Sequence, residues 1–162
     1  MTKVFLYSDG SAKGNPGPGG FGTILRYTDP SGQVHEKEFS CGYEKTTNNR
    51  MELLGVITGL ELLKFSCDVT VISDSKYVVD AFNQHWVESW QKNGFRKSDR
   101  KPVKNMDLWK RLLEDTGRHK VTFEWVKGHE GHPENERCDK LATTAADGEN
   151  LLIDEGFNDS QI

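Results

Sequence analysis

Apolar and polar positions change rhythm several times along the chain. Val4 to Ser8 is a nearly unbroken apolar run, the pattern of a strand buried on both faces. Phe21 to Tyr27 alternates, with Phe21, Thr23, Leu25 and Tyr27 on one face, and a further strand runs roughly from Gln33 to Cys41. The turn signal DPSG at residues 29 to 32 joins these two, so an antiparallel meander is expected. The period then lengthens. In NNRMELLGVITGLELLKF, residues 48 to 65, Leu53, Val56, Ile57, Leu60 and Leu63 form one helical stripe. VTVIS, residues 69 to 73, reads as another buried strand; a helical crossover makes it parallel to Val4–Ser8 and places the two side by side. Helices are expected near Tyr77 to Phe82, around Met106 to Leu113 with Gly117 as the stop, and over 134 to 146, with VTFEW at 121 to 125 as the last strand.

This length of 162 residues suits one domain with a substantial core, and 35% hydrophobic content agrees with that. Cys41, Cys67 and Cys138 are odd in number and lack zinc-site spacing, which points to a reduced, cytoplasmic setting. No apolar run approaches bilayer length, so no membrane partner is expected. The net charge of −4 is unevenly spread. KNGFRKSDRKPVK, residues 92 to 104, carries six bases against one acid, a local +5 that leaves −9 on the remainder. A basic patch on an acidic body suits a polyanionic partner. Residues 147 to 162 hold five acids and no base and read as a loosely held tail.

Asp9 heads the glycine-rich stretch DGSAKGNPGPGGFG. A phosphate-cradling loop would lead into a helix with Lys then Ser or Thr at its mouth; here a strand follows, so the glycines link two strands and the aspartate needs its own explanation. Asp9 follows the first strand and Asp74 the fourth, and ligands in open α/β sheets bind beyond the carboxyl ends of strands. Each acid alone could equally cap a helix or open a turn. Glu52 has capping-box spacing from Asn49, yet it borders Leu63 and Val56 on the helical wheel. Glu61 borders the same stripe mid-helix, so it is position at the helix end that favours Glu52. Asp139 in ENERCDKLA attracts no notice by itself. Converging carboxylates would repel one another, and hard divalent cations resolve that repulsion. His129 and His132 lie in a glycine-flanked loop without a credible fourth zinc ligand; a histidine beside a metal carboxylate suits proton transfer better.

DGSAKGNPGPGGFG, TTNNRMELLG, SDSKYV, KPVKNMDLWKRL and WVKGHEGHPENERCDKLA, in this order and spacing, together resemble the bacterial ribonuclease HI family over residues 3 to 146. The resemblance implies an α/β fold of the ribonuclease H type, a five-stranded mixed sheet flanked by helices. It further implies an endonuclease that hydrolyses the RNA strand of RNA–DNA hybrids with two Mg²⁺ ions, Mn²⁺ being a possible substitute, and leaves 5′-phosphate and 3′-hydroxyl ends. A catalytic domain over 1 to 146, with a basic protrusion at about 84 to 104, acting as a monomer, is expected. On matching positions Asp9, Glu52, Asp74 and Asp139 are the implied metal ligands, and His129 assists proton transfer or product departure. Asn15, Asn48 and Asn49 fall at the hybrid's minor groove, although turn and cap chemistry suits asparagine equally. Thr47 matches a DNA-phosphate contact, with Lys45 nearby. Lys76 stands where glutamine is common. In the protrusion, Trp86, Trp90 and Phe95 interleave with Lys92, Arg96, Lys97, Arg100, Lys101 and Lys104, which implies a grip on the DNA strand; Trp109 reads as core. A catalytically silent hybrid-binding module is the rival reading.

Overall fold

The computed structural model describes residues 1–128 and 130–158. Their elements run β1 (Thr2–Ala12), β2 (Gly17–Thr28), β3 (Val34–Thr46), α1 (Asn48–Glu61), β4 (Cys67–Ser73), α2 (Lys76–Asn83), α3 (Trp86–Lys92), α4 (Met106–Arg118), β5 (Lys120–Trp125) and α5 (Pro133–Ala146). One sheet has the order β3-β2-β1-β4-β5, antiparallel across β1, β2 and β3 and parallel across β1, β4 and β5. The expected crossover is present, with Val4 opposite Val69 and Ser8 opposite Ser73.

Strand periodicity assigns the two faces. Phe21 and Thr23 face α1, where the Thr23 hydroxyl donates to the Gly55 carbonyl at 2.7 Å. The intervening Gly20 and Gly22 face α5. A Cβ at Gly22 would lie 2.5 Å from the Cys138 carbonyl oxygen, so only glycine lets the helix backbone rest on the strand here. Most of the glycine-rich stretch is therefore strand rather than linker: β1 continues through Ala12, and only residues 13 to 16 separate it from β2. Arg26 on β2 ties the start of α5 to the hairpin, donating to Glu134 at 2.8 Å and to Glu36 at 2.6 Å.

On the other face α1 packs between the sheet and α4. Leu53, Val56, Ile57 and Leu60 of the expected stripe are fully buried, and Leu63 is partly so. Trp109 is fully buried as expected, contacting the rings of Tyr77, Phe82 and Trp90. These aromatics root α2 and α3 on α4. The α4 helix passes through Gly117 to Arg118, where the extended backbone of His119 ends it, so Gly117 is not the stop.

The expectation of a loosely held tail needs correcting over its described part. Leu152 pairs with Tyr43 on the edge of β3, and Asp154 is buried against Arg50. The cause is Arg50: its side chain is fully buried and requires counter-charge. Among the described residues no helix is long and apolar enough to cross a membrane.

Candidate active site

The site collects where the β1–β4 pairing stops, just past Ser8 and Ser73, so Asp9 does not follow its strand as expected. Asp9 lies inside β1, opposite Gly22 and hence on the sheet face that α5 covers. Glu52 arrives from the other face, in the N-terminal part of α1. Thr47, not Asn49, caps that helix by accepting from the Arg50 N–H at 3.3 Å, so the capping-box reading of Glu52 fails and its carboxylate is available for the site. Gly10 sets the approach: a Cβ there would lie 2.4 Å from the Glu52 nitrogen. Asp74 directly follows β4, and the chain after β5 closes over it. The Val126 N–H donates to the Ser73 carbonyl at 3.0 Å, and a Cβ at Gly128 would stand 2.6 Å from Asp74 Oδ2.

One carboxylate oxygen each from Asp9, Glu52 and Asp74 falls within 4.8 Å of the others. Asp139 of α5 stands outside that trio but close enough to Asp9 for its charge to act on the Asp9 carboxyl. Burial, followed by the charges of Asp74 and Asp139, pushes the Asp9 carboxyl up to about 8. Burial and then Asp9 and Asp74 hold Glu52 well above the ordinary carboxyl range. Glu52 Oε2 and Ser8 Oγ are buried with no hydrogen-bond partner. Crowded carboxylates, raised proton affinity and an orphaned carboxylate oxygen are what a set of hard-cation ligands looks like without its charge. The donor set of Asp9, Glu52 and Asp74 therefore fits a hard divalent cation. Glu61, the rival on the wheel, is taken up by Arg111 at 2.7 Å.

The remaining candidates divide by position. Asn15 Oδ1 accepts from the Asn48 N–H at 3.1 Å and Asn48 Oδ1 from the Ala12 N–H at 3.0 Å, which pins the β1–β2 turn to the start of α1. Their turn-and-cap chemistry is thus present, and both side chains, like Asn49, remain on the exposed rim. Thr47 is buried, and Lys45 is exposed above the ring of Phe157 at 5.7 Å. In the protrusion, Lys92, Arg96, Lys97, Arg100, Lys101 and Lys104 are all exposed, as is Trp86. Trp90 and Phe95 turn inward instead, Trp90 meeting Trp109 edge-on at 5.1 Å, because the short α3 needs apolar anchors on α4. His129 lies outside the described residues.

Sequence reasoning missed Trp125. Its indole N–H donates to the Asp74 carbonyl at 3.0 Å, and the Lys76 ammonium sits 4.7 Å from its ring centroid. Lys76 opens α2, where a cation opposes the helix dipole, and the tryptophan face offsets that placement.

The RNase H family model matches residues 1–147. Ribonuclease H of Lachnoclostridium phytofermentans is 62% identical over 153 residues, spanning 94% of this chain and 97% of that protein. The chain belongs to the ribonuclease H family. Escherichia coli O127:H6 ribonuclease H is 54% identical over 146 residues, covering 90% of each. Among solved structures, the type 1 ribonuclease H LC9-RNase H1 superposes with a TM-score of 0.82 at 32% identity, covering 99% of this chain and 83% of that one. The RNase H domain of PFV gives 0.74 at 28% identity, covering 90% and 95%. Membership makes the chain a nuclease of the ribonuclease H class, an enzyme family dependent on divalent metal ions.

Proposed function

We propose that the chain hydrolyses the RNA strand of RNA–DNA hybrids, using two divalent cations, Mg²⁺ by preference with Mn²⁺ as substitute, and leaving 5′-phosphate and 3′-hydroxyl ends. The observation that carries this reading is the cluster of Asp9, Glu52 and Asp74 from β1, α1 and β4, with Asp139 of α5 near Asp9, in a chain that also carries an exposed basic protrusion. Asp9, Glu52, Asp74 and Asp139 hold the ions, which when bound activate water and offset charge on the phosphodiester. Everything else falls to the chain's own groups. Burial of Asp9 and Glu52 and the hydrogen bond from the Gly10 N–H to Asp9 at 3.0 Å fix the carboxylates before substrate arrives. Asn15, Asn48 and Asn49 face the minor groove, where amides can both donate to and accept from 2′-hydroxyls. Lys76 presents a cation to the backbone beside Asp74, steadied by Trp125. Lys45, Thr47 and the protrusion bases grip the DNA strand through phosphates. His129 handles a proton or the departing product. The enzyme acts as a cytoplasmic monomer, in keeping with three free cysteines.

The test is direct. Offer labelled RNA in a hybrid, as duplex RNA and alone, with and without Mg²⁺. Cleavage confined to the hybrid, abolished by chelation and restored by Mg²⁺, is expected. Hybrid retention without cleavage in Mg²⁺ would leave the silent binding module.

A further inference from the structure

The node around Arg50 does more than the chemistry of the carboxylate site requires. Its guanidinium donates to Asp154 at 2.7 and 3.0 Å, to Asp107 at 2.8 and 2.9 Å, and to Asn105 at 3.4 Å. Asp154 also accepts from the Thr46 hydroxyl at 2.7 Å. The Arg50 side chain is fully buried and that of Asp154 nearly so. A buried ion pair is a poor way to gain stability, since apolar side chains of similar volume do as well or better; its advantage is to fix one geometry. What it fixes here is specific. Thr46 and Arg50 sit in the β3–α1 junction, next to Lys45 and on either side of Thr47, Asn48 and Asn49, and Asn105 and Asp107 mark the exit of the protrusion just after Lys104. The segment that brings Asp154 also lays Phe157 under the Lys45 ammonium and hydrogen-bonds to β3, the Glu44 N–H donating to the Leu152 carbonyl at 2.8 Å.

We propose that Asp154, acting through Arg50, is a positioning residue for substrate. The C-terminal segment locks the Lys45–Asn49 junction and the base of the protrusion in one relative arrangement, so that both grips meet the same DNA strand in register. This rests on reading Lys45 and the protrusion as DNA-phosphate contacts. Removing the Asp154 charge loosens the junction without touching the catalytic acids, so binding suffers and chemistry does not.

The experiment measures kcat and KM on a hybrid across a salt series in Mg²⁺, well below each variant's melting temperature. Variants are Asp154→Asn, Phe157→Leu, Lys45→Ala and the Asp154→Asn/Lys45→Ala pair. Asp154→Asn should raise KM several-fold at nearly unchanged kcat, and flatten the log–log salt dependence by roughly 0.7 to 0.9, the loss of one phosphate contact. In the pair, KM should rise by less than the product of the single effects, because both changes act on the same contact. A lowered melting temperature with parental KM and salt slope would overturn the proposal and leave Asp154 a stability anchor. Should Lys45→Ala raise KM while Asp154→Asn does not, the positioning claim alone falls; should Lys45→Ala itself leave KM unchanged, the phosphate-grip reading falls first. If Asp154→Asn does not fold, Phe157→Leu decides by the same KM and slope criteria.

Discussion

Asp74 is the carboxylate whose replacement should best separate chemistry from binding, because Asn keeps its shape and removes only its charge. Loss of outer-shell partners of metal sites typically costs about 10- to 100-fold, so loss of a ligand should exceed ~100-fold in kcat, with hybrid affinity nearly unchanged. Steady-state assays paired with fluorescence anisotropy check this, and near-parental turnover would remove the assignment of the site. Asp9 and Asp74 stood out in the sequence because each follows an apolar run read as one of two adjacent parallel strands, and the structure does bring their carboxylates together with Glu52. Trp125 was not legible: an aromatic closing a strand has the same pattern as a core residue until its N–H is seen on the Asp74 carbonyl. Asp115 was equally silent. It is a buried α4 acid beside Glu61, with Arg118 as ion-pair partner and one oxygen orphaned, and burial pushes its carboxyl up to about 7. A carboxyl that holds its proton more tightly when folded makes stability fall as pH rises from its unfolded value through that folded value. Asp115→Asn should therefore gain thermal stability over the parent progressively between pH 4 and 8, by several degrees, with ~2–4 °C in Tm per kcal/mol at this chain length. A pH-independent difference between the two melting curves would refute the assignment of this proton to Asp115.

The meander, the crossover and the α1 stripe were readable at the level of elements, since period-2 and period-3.6 patterns survive in isolation, whereas the place of β5 beside β4 was not. Glycine was where the reading went astray. The same residue type marks a turn, a helix stop or a place where another backbone comes close, and only the neighbours distinguish these. Gly22 and Gly117 are opposite cases. An alanine methyl at Gly22 would strike the Cys138 carbonyl, forcing α5 off the sheet and shifting Asp139, whereas nothing lies within 4 Å of a Cβ at Gly117. Gly22→Ala should cost about 1–3 kcal/mol and lower kcat. Gly117→Ala, in the helix, should stabilise by about 0.5–1 kcal/mol with kcat unchanged. Thermal melts and turnover of both variants, run together, test whether the glycine-rich strand exists to seat the acid-bearing helix; a Gly22→Ala protein with parental melting and turnover would contradict it.

Across the whole molecule, charge is segregated: the +5 segment rises from a body carrying −9, and that contrast was visible in the sequence. How the parts are joined was not, because Arg50 meets Asp107 and Asp154 at separations of 57 and 104 residues, beyond the reach of any local pattern. An acidic body repels a polyanion, so on the proposed reading productive approach depends on the exposed bases of the protrusion rather than on the carboxylate cluster. Replacing Lys97, Arg100 and Lys101 together by alanine removes up to three phosphate contacts, each worth roughly 0.7 to 0.9 in the log–log salt slope. KM should rise most at low salt and converge toward the parent's as salt increases, because screening weakens in the parent the same contacts that the variant lacks. At saturating hybrid kcat should stay close to the parent's, since an interaction made equally in ground and transition states alters KM alone. A salt titration of both constants separates the possibilities: parental KM with a parental slope would make these charges a solvated loop, while a fall in kcat at constant KM would mean that the protrusion acts on the chemical step rather than on capture of the DNA strand.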